Sequence, residues 1–234
     1  RFASGATPAA MEGWVKEARA RARGAGRAVQ FDDLLTQIVP EDTRCQADIR
    51  AIALHEVGHA LVAHRLGHAV ETLSIIPTGR SAGHTRSMLP GLFLDREHIR
   101  DTATVMLGGR AADIVLGDGA NTGAEGDLEA ATRILLAAHE RQGLTDSLLY
   151  MPAISTRPDP SIVTAVAKEL RHLLDRAIAM INAERELAYR LADRLIASRV
   201  LTGKEVANCL GERPRPASGT NRSAPLPDTK RMAS

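Results

Sequence analysis

Aromatic residues are nearly missing from this chain: Phe, Trp and Tyr together make up 3% of its 234 residues. A surface for stacking single-stranded bases is therefore poorly supplied, and the core has to be assembled from Ala, Leu, Ile and Val, of which Ala and Leu favour helix. Cysteine is as scarce. Cys45 and Cys209 stand alone rather than as C-x-x-C, so neither a zinc knuckle nor a disulfide framework is indicated, and a reducing, cytoplasmic setting is expected. Long apolar runs are lacking too: none approaches the roughly 18 residues that a membrane span needs, and no signal-peptide pattern opens the chain. The first residue is Arg1 rather than Met, so we expect a fragment or a processed product, with any membrane attachment carried by missing N-terminal sequence. No G-x-x-x-x-G-K-[ST] stretch occurs, which excludes ATP binding through a P-loop by this chain alone.

A large excess of charge is absent as well. The formal net charge is +2, although Lys and Arg crowd residues 16–27 and 213–231. Without a nucleic-acid motif these basic ends read as solvated surface or flexible tail, and no nucleic-acid partner is expected. What remains is 44% hydrophobic and 25% charged, which suits one globular domain with appendages.

Residues 9–27 read as a short basic amphipathic helix ended by glycines, and 31–39 as a second one stopped by Pro40. A polar linker follows, and we place a boundary near residue 44. In 48–66 the apolar positions Ile52, Leu54, Val57, Leu61 and Val62 recur at helical spacing, with Asp48 as the expected cap and Gly67 as the stop. Alternation in 69–89 predicts a small hairpin with a free edge. Helical periodicity returns over 96–116, breaks at a glycine-rich loop and resumes over 127–139. Residues 161–198 predict one long helix or a helical hairpin, and Thr202 with Glu205 three residues on marks a capping box for a last helix ending at Gly211. The Pro/Ser/Arg-rich tail 212–234 has too few apolar residues to offset its ordering entropy and is expected to be disordered. The fold class expected is mainly α, with a small β-hairpin or sheet.

The chemistry concentrates in His55-Glu56-Val57-Gly58-His59. Residues four apart on a helix are rotated by about 40° and lie about one turn apart, so two imidazoles can reach one ion from the same face. Neutral imidazole is a standard zinc ligand, and a catalytic zinc site takes three protein ligands and leaves the fourth place to water. Glu56 lies beside that opening, suited to take a proton from metal-bound water. The third ligand must come from elsewhere. Arg65 and Val62 stand where a metzincin would have histidine and glycine, which excludes that class. His64 is nine residues from His55, about 180° round the helix, and points away. Asp113, Glu125, Asp127 and Glu129 are the carboxylate candidates, and spacing does not separate them. His84, on the expected hairpin, reads as a surface histidine.

HEVGH followed by ALVAH, then LGGRAADIVLGDGANTGAEGDLEAATRI, resembles the peptidase domain of the FtsH-type AAA proteases. The likeness runs from about residue 49 to 210, and residues 9–39 resemble the end of an AAA+ lid subdomain. It implies a helical zinc metallopeptidase domain over 45–211, preceded over 1–44 by the end of that lid and a linker. It further implies zinc bound by His55, His59 and Asp127, the last inherited from the stretch Gly123-Ala124-Glu125-Gly126-Asp127-Leu128, with Glu56 as the base. The implied partners are unfolded polypeptide substrates, further copies in a hexameric ring, and an AAA+ ATPase domain of the same protein, through which alone ATP would act. The chain departs from the family at Val57, Asp113 and His84 and around Leu136 and Ala137, and at none of the implied ligands. The competing expectation is an oligomerisation scaffold that keeps the helical body without proteolysis.

Overall fold

The computed structural model describes residues 6–39, 42–77, 81–88, 93–145, 148, 150–151 and 159–211. Helix α1 (Pro8–Gly24) starts at Thr7, whose hydroxyl accepts the Ala10 amide, with Pro8 where a missing N–H costs nothing. Helix α2 (Phe31–Ile38) packs on it, and between them Arg27 donates to both carboxylate oxygens of Asp33 at 2.6 and 2.8 Å. Pro40, the expected stop, lies outside the described residues.

Helix α3 (Gln46–Arg65) carries the HEVGH sequence. Its cap is Cys45, whose Sγ accepts the Asp48 amide at 3.4 Å. Asp48, the expected cap, lies in the first turn instead, where its charge faces the positive end of the helix. Gly67 takes φ +82° just past the other end, as a stop requires. Ala53, Leu54, Val57, Ala60, Leu61, Val62 and Ala63 are all buried, so α3 is enclosed on every side rather than apolar on one face.

Strands β1 (Ala69–Ser74) and β2 (His84–Met88) form the expected antiparallel hairpin, with Leu73 opposite Thr85 and Ser74 opposite His84. Its tip at 78–80 lies outside the described residues. The 96–116 pattern resolves into two helices, α4 (Arg96–Met106) and α5 (Gly108–Leu116), that part at Leu107. The break lets the first turn of α5 cross α3 backbone to backbone: a Cβ on Gly108 would collide with the Gly58 carbonyl, and one on Gly58 with that of Gly108. A single 3₁₀ turn (Thr122–Ala124) leads into α6 (Glu125–Glu140). The 161–198 pattern likewise divides, at Glu184, into α7 (Pro160–Ala183) and α8 (Arg185–Ser198).

A third strand, β3 (Val200–Thr202), was not expected. It pairs antiparallel with β1 opposite β2, giving the order β2-β1-β3, and three residues are too few to show alternation. Helix α9 (Gly203–Leu210) follows with the expected capping box, and Gly211 closes it. The architecture is thus mainly α with one small sheet. Helices α5, α7 and α8 and the sheet pack round α3, burying Leu61, Leu73, Leu173, Ile181, Leu191 and Leu195. Each such side chain contributes about 1.5–3 kcal/mol, so the helix bearing the HEVGH sequence is held by packing against several elements at once. No helix among the described residues is long and apolar enough to cross a membrane. The tail 212–234 lies outside them.

Candidate metal centre

One turn of α3 separates His55 from His59, and their rings meet edge to face with Nε2 atoms 3.2 Å apart. Asp127, in the first turn of α6, brings Oδ2 to 3.1 Å from His55 Nε2 and 3.3 Å from His59 Nε2. These three donor atoms converge on one point and can hold a metal ion, the single such group among the described residues.

The remaining ring nitrogens test the fit. His59 Nδ1 lies 2.8 Å from the Val105 carbonyl, and His55 Nδ1 lies 3.1 Å from Asp113 Oδ2. A carbonyl can only accept, so His59 carries hydrogen on Nδ1, and in the neutral ring Nε2 is left with its lone pair. The Asp113 carboxylate imposes the same tautomer on His55. Two nitrogen lone pairs and a carboxylate oxygen about 3 Å apart repel unless positive charge lies among them, and two imidazoles with one carboxylate are a zinc donor set.

Protonation tells the same story. Burial lowers the His55 pKa, but Asp113 and Asp127 outweigh it and push it up to about 10. Burial also works against a charged His59, yet Asp127 holds it above its usual value. Asp127 is raised by burial and pulled down further by the two imidazoles, to well below the usual carboxylate range. The pocket stabilises positive charge, whether protons or a metal supply it.

Helix α5 closes over this pocket at Gly109, where an added Cβ would strike Nε2 of both histidines. The sequence reading gave Gly58, Gly108 and Gly109 no part in the site. The available signal was the glycine pair inside an otherwise helical pattern, where each glycine costs about 1 kcal/mol relative to alanine and so marks a close approach.

Glu56 is buried one residue along and lies outside the converging group. Its Oε2 accepts from Thr85 Oγ1 at 2.8 Å, and the same hydroxyl lies 3.0 Å from the Glu56 carbonyl oxygen. Gly83, just before β2, lies so close to the Glu56 side chain that a Cβ there would overlap Cγ and Oε1. Strand β2 therefore runs directly along the glutamate. His84 is half-buried, and its Nδ1 has no hydrogen-bond partner among the described residues.

The four carboxylates left open by spacing take different places. Asp127 faces both Nε2 atoms, and Asp113 is buried against the other side of His55, where it orients the ring. Glu125 and Glu129 are exposed, Glu129 lying 4.0 Å from Arg133. His64 turns Nε2 to the Gly211 carbonyl at 3.0 Å, away from the pocket as expected.

With this geometry in place, comparison with known proteins adds one family match and three relatives. The profile of peptidase family M41 matches residues 43–209. An ATP-dependent zinc metalloprotease FtsH of Acidothermus cellulolyticus is 34% identical over 196 residues, covering 74% of this chain and 29% of that protein. One from Halothermothrix orenii is 35% identical over 128 residues, 50% of this chain and 20% of its own length. The mitochondrial ATP-dependent zinc metalloprotease FTSH 10 of Arabidopsis thaliana is 31% identical over 179 residues, 70% of this chain and 22% of that protein. The chain thus spans between a fifth and a third of the length of these relatives.

Proposed function

The chain belongs to peptidase family M41, and from that premise we propose that it is the zinc-dependent endopeptidase module of an ATP-dependent protease, cutting unfolded polypeptide. The observation that supports this best is the convergence of His55 Nε2, His59 Nε2 and Asp127 Oδ2 beside a buried glutamate. In this reading His55, His59 and Asp127 hold zinc, Asp113 and the Val105 carbonyl fix the two imidazoles, and Glu56 is the base. Zinc bound there supplies a Lewis acid for the scissile carbonyl and brings the pKa of a bound water to about 7. Glu56 would take a proton from the attacking water on its carboxylate and pass it to the departing amine. Thr85 holds the carboxylate still through Oε2. Strand β2 has one edge unpaired among the described residues, and an extended substrate would add to it through main-chain hydrogen bonds, a sequence-tolerant way to present peptide bonds.

The remaining assignments rest on the family resemblance, with the ATP dependence also in the relatives' names. Residues 1–44 form the end of an AAA+ lid with its linker, and 45–211 the peptidase domain. ATP is used by a part of the longer protein, which unfolds substrate and assembles as a ring, a hexamer by family likeness. The test is cleavage of a short unstructured peptide by zinc-loaded protein, with Glu56→Gln beside it. We expect about one zinc per chain in both proteins and a fall of about 10²–10⁴-fold in kcat for the variant. A folded chain that takes up no zinc, or equal cleavage by both proteins, would overturn the proposal; the former points to a scaffold.

A further inference from the structure

We propose that Arg44 is a positioning residue for Glu56, acting through the backbone that leads into β2; the inference rests on the reading of Glu56 as the base. Arg44 lies between α2 and α3, directly before the Cys45 cap. Its Nε and Nη2 donate to Asp42 Oδ1 and Oδ2 at 2.8 and 2.7 Å. Nη2 also donates to the Ile75 carbonyl at 2.6 Å, and Nη1 to the Ala82 carbonyl at 2.8 Å. Those two carbonyls stand at the two ends of the β1–β2 connection, so one planar side chain closes that loop at its base.

The clamp is anchored from behind. Arg199, in a left-handed conformation at φ +64° between α8 and β3, places Nη2 2.5 Å from Asp42 Oδ2, and its carbonyl accepts the Ile75 amide at 3.0 Å. Asp42 is therefore shared by two guanidinium groups, and both hold the same end of the sheet.

What the clamp holds is the contact with the base. Ala82 is followed by Gly83, packed against Glu56 Cγ and Oε1, and then, two residues on, by Thr85, which donates to Glu56 Oε2. A displacement of the Ala82 peptide moves both, and misplacement by about 1 Å at a catalytic group can cost 10²-fold. A guanidinium presents a rigid fork able to reach a carboxylate and two carbonyls together, whereas a lysine ammonium is a single point donor. Arg44 itself bonds none of the proposed ligands or the base in the contacts described.

The experiment measures kcat, KM and zinc content for the zinc-loaded chain with a short unstructured peptide, comparing wild type, Arg44→Met, Arg44→Lys, Arg65→Met and Glu56→Gln. Arg65 is the control: it clamps Glu184 and the Leu210 carbonyl at the opposite end of α3, away from Glu56. For Arg44→Met we expect kcat to fall about 10-fold with zinc content and KM nearly unchanged. Arg44→Lys should recover part of that loss, and Arg65→Met should lower thermal stability with kcat within about twofold of wild type. Wild-type kcat in Arg44→Met, an equal fall in Arg65→Met, or zinc lost in step with kcat overturns the proposal. Should Arg44→Met fail to fold, Arg44→Lys decides, and wild-type kcat there overturns it. Undiminished cleavage by Glu56→Gln sinks the assignment of the base instead, whatever the arginine variants do.

Discussion

The middle of α3 and its C-terminal end carry the same kinds of side chain and put them to different use. In the middle are His55 and His59, with Arg44 paired to Asp42 just ahead of the helix. At the C-terminal end are His64 and, just beyond, His68, with Arg65 paired to Glu184. Burial does not distinguish them, since His59, His64 and His68 are all buried. Direction does. Residues 55 and 59 face one way and meet a carboxylate delivered by α6, whereas His64 turns to the Gly211 carbonyl and ties the last helix down. His68 is kept below its usual pKa chiefly by burial, a neutral imidazole in a core. A buried histidine is placed to act as a ligand when its second nitrogen is fixed by an acceptor and its first faces a carboxylate from another element.

That contrast breaks most visibly at Asp127. Asp127→Ala should take zinc from about one per chain to a small fraction by elemental analysis, with peptide cleavage lost alongside, while His64→Ala keeps its zinc and loses about 1–3 kcal/mol of stability in urea unfolding. Equal zinc in the two variants would erase the difference between the two stretches. Asp113→Asn is expected to be milder: the ring of His55 keeps a partner but loses its charge, and zinc affinity should fall about 10–100-fold in competition with a chelator. An unchanged affinity would mean that Asp113 is only filling space beside His55.

The same contrast explains how far the sequence could be read. The helices were legible wherever apolar spacing ran unbroken, and the pair His55 and His59 with Glu56 between them was legible because helix geometry alone converts a spacing of four into one face. Asp127 was not. Four carboxylates fitted the spacing, and only the family likeness preferred the one that the fold brings to both Nε2 atoms. The sulfur cap at Cys45 is local, but Asp48 three residues on is the commoner capping type and drew the expectation. The break at Leu107 and the β3 strand escaped because they are set by tertiary contacts, the break by the backbone crossing of Gly58 and Gly108 and the strand by its pairing with β1, which no local pattern encodes. The Arg44 clamp escaped for the same reason, its two carbonyls lying more than thirty positions along the chain.

The smallest expected effect lies at that clamp and has a definite dependence on pH. The hydrogen bond from Arg44 holds the Asp42 carboxyl down at about 2 against the opposing effect of burial, and the charge on Arg199 assists. An aspartate in the unfolded chain titrates near 3.9. The folded value is the lower one, so ionised Asp42 stabilises the fold fully above about pH 4, and that contribution drains away as pH falls towards 2. Asp42→Asn should therefore be less stable than wild type by about 1–2 kcal/mol at pH 7, and the gap should narrow steadily between pH 4 and 2 in urea titrations. A gap of constant size across that range would mean that shape, and not charge, is what Arg44 and Arg199 recognise in Asp42. The clamp would then tolerate asparagine as an acceptor, and kcat in Asp42→Asn would stay at the wild-type value even where stability did not.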